Sequence, residues 1–258
     1  MPAEESTPAI VLRARDYLDS DRIVTILTAQ AGKLGGIAKG AKSSRRRYAN
    51  RLEPFSHVML YFRRRPHGEL VFITRAEAAG LPQFQMDNDL ERFALGSYML
   101  ELTDALSSEE ADAADAYVIL CEALETLAGS TATRALRQAF ELRLLRWAGF
   151  GLEFDRCRTC ARPLSDGRPL FFITHRGGVV CERCRDAAPE ASIRIAPSSA
   201  DSLTRLARLP FASAASAEAA ETDGAMALAR FIAGVAARRL KSIEFLDSIL
   251  GSARPPTE

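Results

Sequence analysis

The hydrophobic repeat of this chain changes period at Pro82, and no other feature limits its fold as strongly. Before that proline, short apolar runs alternate with polar positions, as at Ile10/Leu12, and end in turn residues, which is the pattern of half-buried strands. Strands are predicted over 9–15, 23–30, 33–39, 58–64 and 70–76, with turns at Asp19-Ser20-Asp21, Ala31-Gly32 and Pro66-His67-Gly68. Five short strands suit a small closed barrel. The long link between the third and fourth, running through Leu52-Glu53-Pro54-Phe55, falls where a five-stranded OB barrel carries an excursion.

Beyond Pro82 the spacing becomes helical, with Leu90, Phe93, Ala94, Ser97, Tyr98, Glu101, Leu102 and Leu106 on one stripe. Ser107-x-x-Glu110 reads as a capping box for a second helix through Val118, Cys121, Leu124 and Leu127, ended by Gly129. A third helix is predicted from Ser130 or Thr131 to Gly149, and others over 199–209 and 225–250, with 212–221 as a loop. The predicted architecture is an α+β multidomain chain. It has an N-terminal OB-fold barrel over 1–80 and an all-helical domain over 81–258, with a metal module at 155–187 inserted in the latter.

Charge is segregated along this frame. The formal net charge is only +1, yet residues 33–65 hold ten cations (Lys33, Lys39, Lys42, Arg45, Arg46, Arg47, Arg51, Arg63, Arg64, Arg65) against the single acid Glu53. Three of the four lysines in the chain fall within this segment. Cations on neighbouring loops replace the counterions condensed on a phosphate backbone, so the cluster points to nucleic acid rather than a merely solvated charge run. Gly35, Gly36 and Gly40 permit close backbone approach. Among Tyr48, Phe55, Tyr61 and Phe62, Tyr48 is the choice for stacking a base and Phe55 the choice for core. Residues 81–130, with one basic and eleven acidic side chains, read as a solvated face or a dock for a basic partner.

Cys157, Cys160, Cys181 and Cys184 form C-x2-C-x20-C-x2-C, a spacing that lets four thiolates close around one Zn2+. Disulfides and a redox dithiol are the competing readings, disfavoured where cytosolic thiols stay reduced. Protein sulfurs would fill every coordination position, so the ion is expected to be structural. Phe171–Thr174 and Val179-Val180, around Gly177-Gly178, read as a hairpin leading into the second cysteine pair. Cys121 is expected to be a small core residue.

Other motifs fall short of chemistry. Gly35 to Ser43 approaches a phosphate-binding P-loop, but Ala41 breaks the required Gly-Lys-Ser, and the setting is strand and basic loop. His67-Gly68-Glu69 mimics the H-x-E of zinc deaminases without the proline before either cysteine pair. His57 and His175 have no nucleophile or base arrangement around them, so no catalytic residue is assigned and an enzyme is not expected. There is no run of about 18 apolar residues, and the acidic opening Met1-Pro2-Ala3-Glu4-Glu5 lacks a secretory layout; no membrane association and a cytoplasmic location are expected.

The order of several motifs resembles the RecO family of recombination mediators. They are Lys39-Gly40-Ala41-Lys42-Ser43 followed by Leu52-Glu53-Pro54-Phe55, Tyr98-Met99-Leu100-Glu101-Leu102, and Phe140-Glu141-Leu142-Arg143-Leu144-Leu145 before Gly149-Phe150-Gly151. The four cysteines, Leu240-Lys241-Ser242 and Phe245-Leu246 complete the set. The chain departs from that family in its sparse lysine and in Ser43-Ser44-Arg45-Arg46-Arg47. The resemblance implies an OB-fold followed by a helical domain that in many members carries zinc. It also implies binding of single- and double-stranded DNA, strand annealing and a nucleoid-associated location. In this reading the protein acts with RecR to help RecA displace single-strand-binding protein. A zinc-containing OB-fold RNA-binding protein and a nucleic-acid enzyme remain the rival classes.

Overall fold

The computed structural model describes all residues except 1, 2, 45, 49, 66–69, 79–81, 85, 87, 88, 109–112, 165, 166, 186–191, 237 and 251–258. Two compact units emerge, one of residues 1–88 with 99–128, the other of 89–98 with 129–258.

The first unit is built on a closed barrel of strands β1 (Glu5–Tyr17), β2 (Asp21–Thr28), β3 (Lys33–Ala38), β4 (His57–Arg63) and β5 (Leu70–Glu77), in the order β1-β2-β3-β5-β4. All five predicted strands are present. β1 closes the barrel because its first half pairs with β4 (Glu5↔Phe62) and its second half with β2 (Tyr17↔Asp21). A bulge between Val11 and Arg13 bends the strand between its two partners. β3 and β5 run parallel, and closely: a Cβ on Gly36 would lie 2.6 Å from Ile73 Cδ1, so any larger residue there would displace that core side chain. The interior is filled by inward-facing residues such as Val24, Ile26, Val58, Leu60, Phe62 and Ile73, all at most 1% exposed. This is the OB-like barrel that the strand pattern predicts.

Helix α1 (Leu90–Leu106) opens at Asp89, whose carboxylate accepts the Arg92 amide at 3.0 Å. Helix α2 (Ala114–Gly129) follows; Glu110 of the predicted capping box lies outside the described residues, as does the predicted turn 66–68. In the first unit α2 joins the barrel through Tyr117, whose hydroxyl lies 2.6 Å from His57 Nε2.

The second unit is organised on α3 (Arg134–Trp147), of which Leu136, Ala139, Phe140, Leu144 and Leu145 are fully buried. Its start is Thr133, not 130 or 131, because the Thr133 hydroxyl accepts the Leu136 amide at 3.1 Å. It ends at Gly149 (φ 85°), where the Phe150 amide reaches back to the Leu145 carbonyl at 2.8 Å. Two buried polar groups tie α3 to its surroundings. Gln138 bonds the backbone of Ala220 on both sides, and Glu141 accepts from Tyr98 (2.6 Å) and Arg137 (2.8 Å).

The C-terminal portion is not all-helical. Strands β6 (Leu170–Ile173) and β7 (Gly178–Cys181) form the expected hairpin, and β8 (Ser192–Ile195) adds a third antiparallel strand on the other edge of β6. Helices α4 (Glu182–Arg185), α5 (Pro197–Leu206), α6 (Phe211–Ala214), α7 (Thr222–Val235) and α8 (Lys241–Leu250) complete the described elements. The helix predicted over 225–250 is therefore two, broken where Ala236 turns extended (ψ 125°). The loop predicted over 212–221 begins with the short α6, held because Phe211 packs on Phe140 at 6.4 Å. No helix among the described residues is long and apolar enough to cross a membrane.

Candidate nucleic-acid interface and metal centre

The connection between β3 and β4 is anchored from within. Tyr48 and Leu52 enter the barrel core, and the Arg47 carbonyl accepts the Ala76 amide of β5 at 3.0 Å. Its outer edge is held by the β1–β2 turn, where Asp21 accepts the Gly40 amide at 2.9 Å and the Ser20 carbonyl accepts the Lys42 amide at 3.1 Å. Between these anchors the chain displays cations. Lys39, Arg46 and Arg47 are exposed; the Arg47 guanidinium curls back to donate to the Lys39 carbonyl at 2.9 Å. Lys42 pairs with Asp16 at 3.0 Å, and its ammonium holds that carboxyl below the usual carboxylate range. Arg51 is half-buried, and Arg45 lies outside the described residues.

Other predicted contacts are placed elsewhere. Lys33 points inward: its ammonium bonds the Asp104 carbonyl at 2.8 Å and carboxylate at 3.3 Å, leaving the side chain 13% exposed. Tyr48 is 1% exposed and donates its hydroxyl to the Ile73 carbonyl at 2.9 Å, so its ring is not offered to a base. Burial drives the Tyr48 phenol above its ordinary pKa. Phe55 is buried, as expected. Arg63 is half-buried at the end of β4, while Arg64 and Arg65 are exposed, Arg64 pairing with Glu5 at 3.1 Å. Lys42 and Arg64 thus pair with acids at opposite ends of β1, so the ten cations do not form one patch.

Residues outside the predicted set adjoin the excursion. Arg22 bridges Asp16 and Glu53, neutralising two acids beside the excursion. Tyr17 (42% exposed) and Leu18 (72%, φ 50°) form the tip of the same β1–β2 turn. The turn signal at Asp19-Ser20-Asp21 implied that its flanking aromatic would be presented; what that ring would neighbour was not implied.

The four cysteines converge. Cys157 and Cys160 flank a tight turn completed by Ala161 (φ 58°), Cys181 ends β7 and Cys184 lies on α4, with all four sulfurs within 4.8 Å of one another. Cys160 and Cys181 Sγ are 3.9 Å apart. Zn–S bonds of about 2.3 Å in a tetrahedron require sulfur–sulfur edges of about 3.8 Å, whereas a disulfide needs about 2.05 Å. The donor set therefore fits a closed, soft-metal site of four thiolates. Burial raises the Cys157 pKa, but amides of Cys160, Cys181 and Thr159 directed at its sulfur outweigh this and bring it to about 6, favouring the thiolate that a metal takes. Gly178 lets the hairpin meet the first cysteine pair, since a Cβ there would stand 2.8 Å from the Glu153 carbonyl oxygen. Cys121 is separate, half-buried in α2, with its thiol pushed up to about 11 by burial.

His57 is satisfied rather than catalytic: Nδ1 lies 3.1 Å from the Pro82 carbonyl, and the ring stacks on Phe84. His175 is exposed.

Two family models cover the chain, "Recombination protein O N terminal" over residues 1–82 and "Recombination protein O C terminal" over residues 87–244. Among curated proteins, the chain is similar to the DNA repair protein RecO of Anaeromyxobacter sp. (strain Fw109-5), at 36% identity over 93% of this chain and 94% of that one. The RecO of Syntrophus aciditrophicus is 31% identical over 96% of each chain, and that of Symbiobacterium thermophilum 33% identical over 95% of this chain and 97% of that one.

Proposed function

The chain belongs to the RecO family of DNA repair and recombination proteins, and on that premise we propose that its barrel excursion grips the phosphate backbones of single- and double-stranded DNA. Lys39, Lys42, Arg46 and Arg47 are the contacting cations, with Arg45 and Arg51 beside them in sequence. Arg63, Arg64 and Arg65 are a separate, secondary set. Tyr17, rather than Tyr48, carries the stacked base. Binding lowers the repulsion between two strands and so promotes annealing, which needs no bond chemistry and no catalytic residue. With RecR the protein helps RecA load onto DNA covered by single-strand-binding protein. The exposed cations on an internally anchored excursion of an OB-like barrel carry this reading. The relatives' names give the rival RNA-binding reading no support.

In the same proposal residues 1–80 are the nucleic-acid-binding domain, and Cys157, Cys160, Cys181 and Cys184 hold a structural Zn2+ within 155–187 of the C-terminal domain. Zinc there supplies folding energy, not a reactive water, because four sulfurs complete its shell.

The test is charge reversal at Lys39, Arg46 and Arg47 together. DNA binding is expected to fall below detection at physiological salt with the fold intact by circular dichroism. Single reversals should each lower the slope of log affinity against log salt by about 0.7 to 0.9. A folded triple variant with wild-type affinity refutes the assignment.

A further inference from the structure

A cleft of about 600 Å³ opens in the C-terminal unit between the turn after α3, the β6–β7 connection and α7. Its walls are aromatic and cationic. Phe150 is 41% exposed and meets Phe231 edge-on, with ring centroids 6.3 Å apart. Arg158 donates to the Arg176 carbonyl at 3.2 Å, and Arg176 to the Thr159 hydroxyl at 3.2 Å. Arg230 projects from α7 and makes no hydrogen bond or ion pair among the described residues. Among the described residues none that lines it is acidic; the carboxylate of Glu153 reaches Arg158 at 3.7 Å from outside the lining.

Two glycines of the lining are required neither by a positive φ nor by close packing. At Gly151 and at Gly234 an added Cβ would meet nothing within 4 Å, and neither backbone has the positive φ that favours glycine. Gly234 is the penultimate residue of α7. Both glycines line the cleft, and a Cβ at either would enter open space rather than packed protein.

We infer that this cleft is a second nucleic-acid contact, taking an unpaired nucleotide with its base against Phe150 and its phosphate on Arg230 and Arg176. A ring face accepts any base, and planar guanidinium groups match phosphate oxygens in pairs. The inference rests on the DNA-binding reading above and deepens it: annealing brings two strands together, and a hold on the C-terminal unit adds to that of the barrel excursion.

The experiment uses the full-length protein, oligonucleotides bearing 5-iododeoxyuridine, and the variants Gly234→Leu, which fills the cleft without removing a charge, and Arg230→Glu. Photo-cross-links to the peptide containing Phe150 are expected in the wild type and lost in both variants. Annealing should slow on the order of tenfold, as for one lost stacking and phosphate contact, while affinity for a single strand changes about twofold or less. Wild-type annealing by folded Gly234→Leu overturns the inference. Absence of the cross-link, or its displacement by an acidic peptide but not by unlabelled oligonucleotide, overturns it as well. The barrel reading is judged apart from this, because its failure appears as wild-type DNA affinity in the Lys39, Arg46 and Arg47 triple variant.

Discussion

Tyr48 lies between Arg47 and a loop that reaches Arg51, a sequence setting that advertises a stacking platform, yet its ring belongs to the barrel core. Tyr48→Phe keeps the packing and removes the bond to the Ile73 carbonyl, so it is expected to cost about 1 kcal/mol in urea denaturation. DNA affinity should not change. His57 makes a second residue-scale case. The Pro82 carbonyl can only accept, so Nδ1 carries the proton and Nε2 accepts from the Tyr117 hydroxyl, a neutral ring. Burial lowers the His57 pKa below its usual 6.5, despite the Pro82 bond that favours the charged form. As pH falls through 6.5 the unfolded chain takes up this proton before the folded one does. The contribution of His57 to stability is therefore complete above that pH and is lost below it, until the folded-state pKa is passed. His57→Gln, which can donate to Pro82 and accept from Tyr117, should flatten the dependence of the denaturation midpoint between about pH 7 and pH 5. An unchanged slope in the variant would remove His57 as its source.

Among the elements, most of those governed by local sequence match what the sequence predicts, and the departures cluster where neighbours decide. The five strands follow from alternation and turn residues, and the β6–β7 hairpin from its paired glycines. The break between α7 and α8 has no proline, and Ala236 favours helix by itself; the signal near it is Gly234. Strand β8 is a four-residue run whose reason to extend is the free edge of β6. Two substitutions test element ends. Thr133→Ala removes the cap of α3 and should destabilise the protein by about 1 kcal/mol. Gly178→Ala drives a Cβ to 2.7 Å from Arg158 Cγ and 2.8 Å from the Glu153 carbonyl oxygen, parting the hairpin from the first cysteine pair. With the proposed zinc bound, faster loss of the ion to a chromogenic chelator is the expected result, and wild-type retention would show that the knuckle accommodates the extra carbon.

For the whole molecule, the proposed division of labour puts DNA on the barrel and the metal in the C-terminal unit. Chelation should therefore raise hydrogen exchange first across the β6–β7 hairpin and α4, with the barrel strands still protected, because binding energy at such a site is local folding energy. Simultaneous loss of protection in both regions would contradict that division. The sequence alone determined the change from strands to helices, the barrel's excursion and the two paired-cysteine knuckles, since period and spacing are properties of neighbouring residues. Which cations meet solvent was decided only by the tertiary structure. Lys33 is neutralised by Asp104, 71 residues away, Tyr48 is covered by the strand carrying Ile73, 25 residues on, and Lys42 is partnered by Asp16 across the turn. A side chain's field and exposure depend on what packs beside it, and in a closed barrel those neighbours come from distant parts of the chain.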